Sequence, residues 1–187
     1  VYLMTGFLDS GKTQFLTFTL KQDYFQIDGK TLLILCEEGE EEYDPMEMLK
    51  YGVVIEKVED QENLTAEWLE EMNRKHEPER VVVEYNGMWK VSDFENMKLP
   101  AGWGIEQKIT TVDASTFQMY LTNLKPLFVE MVRGADMVLF NRCEDIKPLA
   151  GYRRSVKVVS PQAEVIFEDE QGEIENIFED EVPYDLK

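Results

Sequence analysis

A chain of 187 residues, 43% of them hydrophobic, is long enough to bury one substantial core and has the size of a single domain. Its formal net charge of −19, from 38 acidic against 19 basic side chains, argues against a nucleic-acid backbone or an anionic membrane as partner. A basic partner or a metal cation suits that charge, and so does solubility alone. No basic n-region with an apolar run precedes the first strand, and no stretch is long and apolar enough to insert in a membrane, so a cytoplasmic location is expected. Cys36 and Cys143 belong to no Cys-x-x-Cys pair, which disfavours a zinc ribbon or a disulfide framework and suits a reducing compartment. Strand character begins at Val1 without an initiator Met, so a few native residues are expected to precede it.

Residues 1–5 read as a short apolar strand running directly into Gly6-Phe7-Leu8-Asp9-Ser10-Gly11-Lys12-Thr13. The spacing Gly6-x-x-x-x-Gly11-Lys12-Thr13 is that of a phosphate-binding loop. Glycines let the backbone curl so that successive N–H groups point at phosphates, Lys12 neutralises the β and γ charges, and the Thr13 hydroxyl can ligate Mg²⁺. Gly6, Asp9, Ser10, Gly11, Lys12, Thr13 and Gln14 are therefore candidate nucleotide contacts, with a helix predicted over 12–25.

Further strands are predicted at 31–36, 53–58, 80–84, 108–113, 137–141 and 164–167, several of them continuous apolar runs of the kind buried on both faces. Helical spacing marks 64–76, 115–133 and 148–159, and Pro126 should break or kink the second of these. The expected fold is α/β, a three-layer P-loop NTPase arrangement with a mostly parallel sheet and helices on both faces. Residues 1–168 form the expected domain, and 169–187 an acidic extension read as a solvated tail or an edge leading out of it.

A phosphate-binding loop needs a carboxylate from a neighbouring strand to hold the magnesium shell or polarise the attacking water. Glu84 ends the strand at 80–84, and Gly87 follows where a backbone N–H could meet a γ-phosphate. Beyond the second strand, Glu37, Glu38, Glu40, Glu41, Glu42 and Asp44 crowd together. They read either as a solvated switch loop in which Glu37 or Glu40 touches the magnesium shell, or as a site for a hard cation such as Mg²⁺ or Mn²⁺. Asn141-Arg142-Cys143-Glu144 follows a strand where a guanine-reading loop is expected: Asn141 for the base edge, Arg142 to stack on the base, and Glu144 to accept from guanine N1–H and N2–H. His76 reads as a helix-end residue, and Trp68, Trp89 and Trp103 as packing or interface residues.

The stretches 5–13, Cys36-Glu37-Glu38-Gly39-Glu40, Glu84-Tyr85-Asn86-Gly87, Val112-Asp113-Ala114, 141–144 and Ser160-Pro161-x-Ala163 stand in the order and at about the spacing of the CobW/HypB/UreG family of P-loop GTPases. The sequence resembles that family over about residues 1–178 and is most similar to the CobW branch, whose motifs read Gly-Phe-Leu-Gly-Ala-Gly-Lys-Thr-Thr, Asn-Glu-Phe-Gly-Glu, Glu-Thr-Ser-Gly, Val-Asp-Ala and Asn-Lys-x-Asp. The resemblance implies a GTPase that uses Mg²⁺, often dimerises, and couples hydrolysis to metal delivery or metal-centre assembly. A protein client or homodimer partner is then expected beside the nucleotide.

The departures bear on that expectation. No cysteine occupies the region where CobW-branch members carry Cys-x-Cys-Cys, so the route to a second transition metal, Zn²⁺ or Co²⁺, is missing there. Cys36 replaces the asparagine of Asn-Glu-x-Gly, Asp9-Ser10 replaces Gly-Ala, and Glu144 stands where aspartate is usual. Asp9 brings a negative charge to the phosphates that could slow hydrolysis, weaken binding, or help hold a metal or water. The family's smaller C-terminal domain does not follow, so either the full protein is longer or this member is minimal. The expected activity is GTP binding with slow Mg²⁺-dependent hydrolysis, with Lys12, Glu84 and Glu37 as catalytic candidates and Thr13, Glu37, Glu84 and Glu40 as candidates for the metal shell. The alternatives are a regulatory nucleotide-binding module or a P-loop ATPase.

Overall fold

The computed structural model describes residues 1–146 and 149–174. Eight strands are joined in one sheet: β1 (Tyr2–Thr5), β2 (Thr31–Leu35), β3 (Val53–Lys57), β4 (Arg80–Glu84), β5 (Gln107–Asp113), β6 (Met137–Asn141), β7 (Glu164–Asp169) and β8 (Gly172–Glu173). Their spatial order is β3-β2-β4-β1-β5-β6-β7-β8, parallel as far as β7, with β8 returning antiparallel. The helices are α1 (Lys12–Leu20), α2 (Pro45–Leu49), α3 (Ala66–His76), α4 (Val91–Glu95), α5 (Phe117–Asn123), α6 (Lys125–Val132) and α7 (Ala150–Val159).

Strand alternation divides the core. Leu3, Leu32, Ile34, Val81 and Val83 pack into one cluster with residues of α3, α4, α5, α6 and α7, whereas Met4, Leu33 and Val82 face Leu16 and Leu20 of α1. Thr31-Leu32-Leu33-Ile34-Leu35 is buried throughout, because a parallel strand covered on both faces has no side for polar residues. Phe140 lies between Phe117, at 5.3 Å edge-on, and Phe167, stacked at 5.1 Å, which pins β6 and β7 to the helical layer.

Several boundaries differ from the sequence expectation. The first helix stops at Leu20 because the Gln26 amide donates to the carbonyls of Leu20 and Gln22, both at 2.9 Å, and caps the chain end; a separate turn covers Asp23–Phe25. The long helix expected over 115–133 is two helices broken at Leu124. Pro126 sits in the first turn of α6, where its missing N–H costs nothing. Two five-residue helices, α2 and α4, were not expected; Asp44 caps α2 by accepting from Met46 N–H and Glu47 N–H. Glu168 and Asp169 belong to β7 and turn through Gly172 into β8, so the acidic run begins as a strand edge; its remainder, from residue 175, lies outside the described residues. Lys147 and Pro148 of the expected last helix lie outside them as well. His76 ends α3 and pairs with Glu56 at 2.8 Å, and Trp68, Trp89 and Trp103 pack half-buried against the core. No described helix is long and apolar enough to cross a membrane.

Parallel strands all exit at the same edge of the sheet. Met4 and Leu35 lie level with Glu84, and Asp113 with Asn141, so five loops meet there: those after β1, β2, β4, β5 and β6. That convergence is where open α/β sheets bind ligands.

Candidate functional site

The loop from Gly6 to Thr13 joins β1 to α1 through three positive φ values, 146° at Gly6, 58° at Asp9 and 100° at Gly11. A side chain at Gly6 would bring its Cβ to 2.6 Å from Thr111 O, a contact only glycine avoids. Ser10 Oγ bonds Thr111 Oγ1 at 2.9 Å, tying the loop to β5. Asp9 Oδ1 accepts the Glu40 N–H at 2.9 Å.

Lys12 is buried, and its ammonium donates to Gly6 O at 2.5 Å, to Phe7 O at 3.4 Å and to Glu37 Oε1 at 2.5 Å. The second Glu37 oxygen accepts the Gly87 N–H at 3.2 Å. Beside this pair, Thr13 Oγ1 donates to Glu84 Oε1 at 2.7 Å, and the Tyr43 hydroxyl donates to Glu84 Oε2. Tyr43 is the residue that sequence reasoning missed: an aromatic among acidic residues carries no spacing signal, and only the fold-back of the loop after β2 brings it to Glu84.

Glu84 is 2% exposed, and burial raises its carboxyl pKa against the lowering effect of the Tyr43 and Thr13 hydrogen bonds and the nearby Lys12 charge. The folded state therefore favours the protonated form relative to the unfolded chain. The stability this contributes is present below the ordinary carboxylate pKa and is lost as pH rises through the raised value. Glu84→Gln is accordingly expected to raise the thermal midpoint near neutral pH, with the advantage shrinking toward about pH 4, where wild-type Glu84 is also protonated. Melting curves of both proteins across that range check it; a variant less stable than wild type at neutral pH contradicts it.

From β6, Asn141 Nδ2 donates to Ser10 O at 2.7 Å, while its buried Oδ1 has no partner among the described residues. Arg142, at φ 54°, reaches the Asp9 carbonyl at 3.0 Å and Asp113 Oδ2 at 2.5 Å. Its guanidinium is thus held against the phosphate loop. Glu144 and Asp145 are exposed at the same edge, and Gln14 is exposed on α1 with its amide 3.4 Å from Glu41. The acidic residues of the loop after β2 do not converge: Glu37 is on Lys12, Glu38 pairs with Lys57, and Glu40 reaches Asp9 only through its backbone. Among the described residues no group of three or more His, Cys, Asp or Glu side chains could hold a metal ion. Burial pushes both cysteine thiols up to about 12.

The space enclosed by Asp9, Gly11, Lys12, Thr13, Glu37 and Arg142 is about 50 Å³, enough for a few waters. A larger groove of about 500 Å³ starts from Gly11, Gln14 and Asn141 and runs along α1 past Phe15, Met137 and Ile166.

The loop between β1 and α1, with a carboxylate from the adjacent parallel strand beneath it, defines the P-loop class of α/β nucleotide-binding domains. Residues 1–167 match the CobW/HypB/UreG nucleotide-binding domain, and the chain belongs to that family of P-loop GTPases. No curated protein sequence matches it significantly. Among solved structures it is similar to Zn(II)-bound YjiA GTPase from E. coli, with 21% identity and a TM-score of 0.65, covering 94% of this chain and 58% of that one. It is also similar to the hydrogenase maturation factor HypB of Archaeoglobus fulgidus, with 18% identity and a TM-score of 0.62 over 91% of this chain and 82% of that one. HypB from Helicobacter pylori in complex with nickel follows at 13% identity and a TM-score of 0.56, covering 96% and 83%. Likenesses at these identities carry the fold. The chain spans little more than half the length of YjiA.

Proposed function

We propose that this domain binds GTP with Mg²⁺ and hydrolyses it slowly. The observation that carries the reading is the convergence at the start of α1 of two neighbouring hydrogen-bonded groups, Lys12 with Glu37 and the Gly87 N–H, and Thr13 with Glu84. In this reading the N–H groups from Asp9 to Gln14 and the Lys12 ammonium take the phosphates. Thr13 and Glu84 supply the oxygen donors that a magnesium ion prefers, and the ion would neutralise charge on the β and γ oxygens. Glu84 orders the attacking water, with Glu40 at the edge of the metal shell, while Glu37 is held by Lys12 and the Gly87 N–H rather than by the metal. Asn141 holds the loop and presents its unpartnered oxygen beside the groove along α1, where the nucleoside would enter, and Glu144 selects guanine. Once a nucleotide arrives, Arg142 leaves Asp113 to stack on the base.

Among the described residues no arginine finger completes the site, so turnover by the isolated domain is expected below about one per second, as in GTPases that await a partner. Phosphate release measured with GTP and with ATP tests this. A preference for ATP discards the guanine role of Asn141–Glu144, and rapid hydrolysis by the monomer discards the need for a partner. A second reading, a regulatory module that binds nucleotide without efficient turnover, is favoured by the engagement of Lys12 with Glu37. Binding without turnover at any protein concentration would select it. Coupling to metal delivery or metal-centre assembly, through a protein client or a second copy of the chain, is the family-level extension of the first reading. For this chain it would have to operate without a cysteine cluster.

A further inference from the structure

The position a terminal phosphate would use is taken by the chain itself. An ammonium has three donors, and those of Lys12 are directed to the Gly6 carbonyl, the Phe7 carbonyl and Glu37. Two of these acceptors belong to the loop that a bound nucleotide leaves in place. The third is an anion, and its second oxygen accepts the Gly87 N–H. One carboxylate therefore bridges the loop lysine and the glycine N–H beyond β4, the two donors to which a γ-phosphate would turn. The bridge is shielded, with the Lys12 and Glu37 side chains 3% and 10% exposed. It is also braced, because the same loop is fastened by Glu40 N–H to Asp9, by Tyr43 to Glu84, and by Asn86 Nδ2 to the Cys36 carbonyl at 3.3 Å.

Resting on the nucleotide-binding reading above, we infer that Glu37 is an internal surrogate for the terminal phosphate and sets a preference of the domain for a nucleoside diphosphate over a triphosphate. A diphosphate uses the backbone N–H groups at the start of α1 and can enter with Glu37 in place. A triphosphate brings a γ-phosphate against a carboxylate on the same two donors. Glu37 must then leave for a loop already carrying Glu38, Glu40, Glu41, Glu42 and Asp44, where like charges oppose its relocation. Triphosphate binding is thereby coupled to opening of the loop after β2, and loss of the γ-phosphate to its closing.

The test is calorimetric titration of GDP and of a non-hydrolysable GTP analogue, at one fixed Mg²⁺ concentration, into wild type, Glu37→Gln and Glu37→Ala. Wild type should bind GDP more tightly than the analogue. Both variants should bind the analogue about tenfold more tightly than wild type while GDP affinity stays within about threefold, since only the triphosphate competes with the missing carboxylate. An unchanged ratio of the two affinities overturns the surrogate role, and so does a weakened analogue, which would make Glu37 a contributor to the bound state. Those results leave nucleotide binding itself intact. Failure of wild type and both variants, each shown folded by its melting curve, to bind either ligand sinks both the surrogate and the reading it rests on.

Discussion

Lys12→Ala is expected to weaken triphosphate binding by about ten- to a hundredfold and to abolish measurable turnover. The ammonium sits 3% exposed at the start of α1, fixed by the carbonyls of Gly6 and Phe7, so its charge is delivered to the phosphates with little ordering left to lose. A charge-assisted hydrogen bond is worth roughly 1.5–3 kcal/mol, and losing the one donor not held by the loop carbonyls, which the β and γ oxygens would share, gives about one to two decades in affinity. Turnover should fall further, because charge on the transferring phosphoryl group is what the site must stabilise. Removing Lys12 also leaves Glu37 beside the loop with no cation, which adds repulsion toward any phosphate. Titration with a non-hydrolysable GTP analogue and phosphate-release assays check both effects. An alanine variant that retains wild-type affinity would show that the loop's N–H groups alone hold the ligand and would remove Lys12 from the site.

Gly87→Ala is expected to be nearly as damaging by a steric route. A Cβ at this position would lie 2.5 Å from Gly6 O and 2.7 Å from Phe7 Cα, both backbone atoms of the phosphate loop, so no side chain can move aside. The turn after β4 must lift away, which takes the Gly87 N–H off Glu37 and away from any terminal phosphate. Overpacking of this kind costs about 1–3 kcal/mol in stability. A thermal midpoint several degrees lower and a triphosphate affinity reduced about tenfold are the expected results, read by melting curves and titration. Gly104→Ala is the control, since a Cβ there meets nothing within 4 Å and should leave both measurements unchanged. Wild-type triphosphate binding by Gly87→Ala would mean that the close approach of the two loops is not used.

Much of the fold is legible in the amino-acid sequence, for local reasons. Residues such as Val81-Val82-Val83 and Leu32-Leu33-Ile34-Leu35 permit little besides a strand covered on both faces, and their spacing leaves room for crossover helices. The short helices α2 and α4 are not legible because five residues do not complete two turns and so show no period. The end of α1 is hidden because its cap comes from Gln26, six residues beyond Leu20, through a side chain with no propensity signature. The split of the helix over 115–133 is legible in Pro126, though its location at Leu124 is set by how α5 and α6 pack.

The candidate site divides along the same line. Gly6-x-x-x-x-Gly11-Lys12-Thr13 is a local motif, because phosphate recognition by a curled backbone needs those residue types at that spacing wherever the chain then goes. Local sequence therefore dictates the loop, the strands that carry Glu84 and Asn141, and the class of ligand. What each side chain touches is a matter of tertiary packing. That packing sets Tyr43 against Glu84, Arg142 against Asp113 and the Asp9 carbonyl, Asn141 against Ser10, and Glu37 across Lys12 and Gly87. These contacts join segments far apart in sequence, and they exist because parallel strands deliver their loops to one edge of the sheet, where buried charges take the nearest partner of opposite sign.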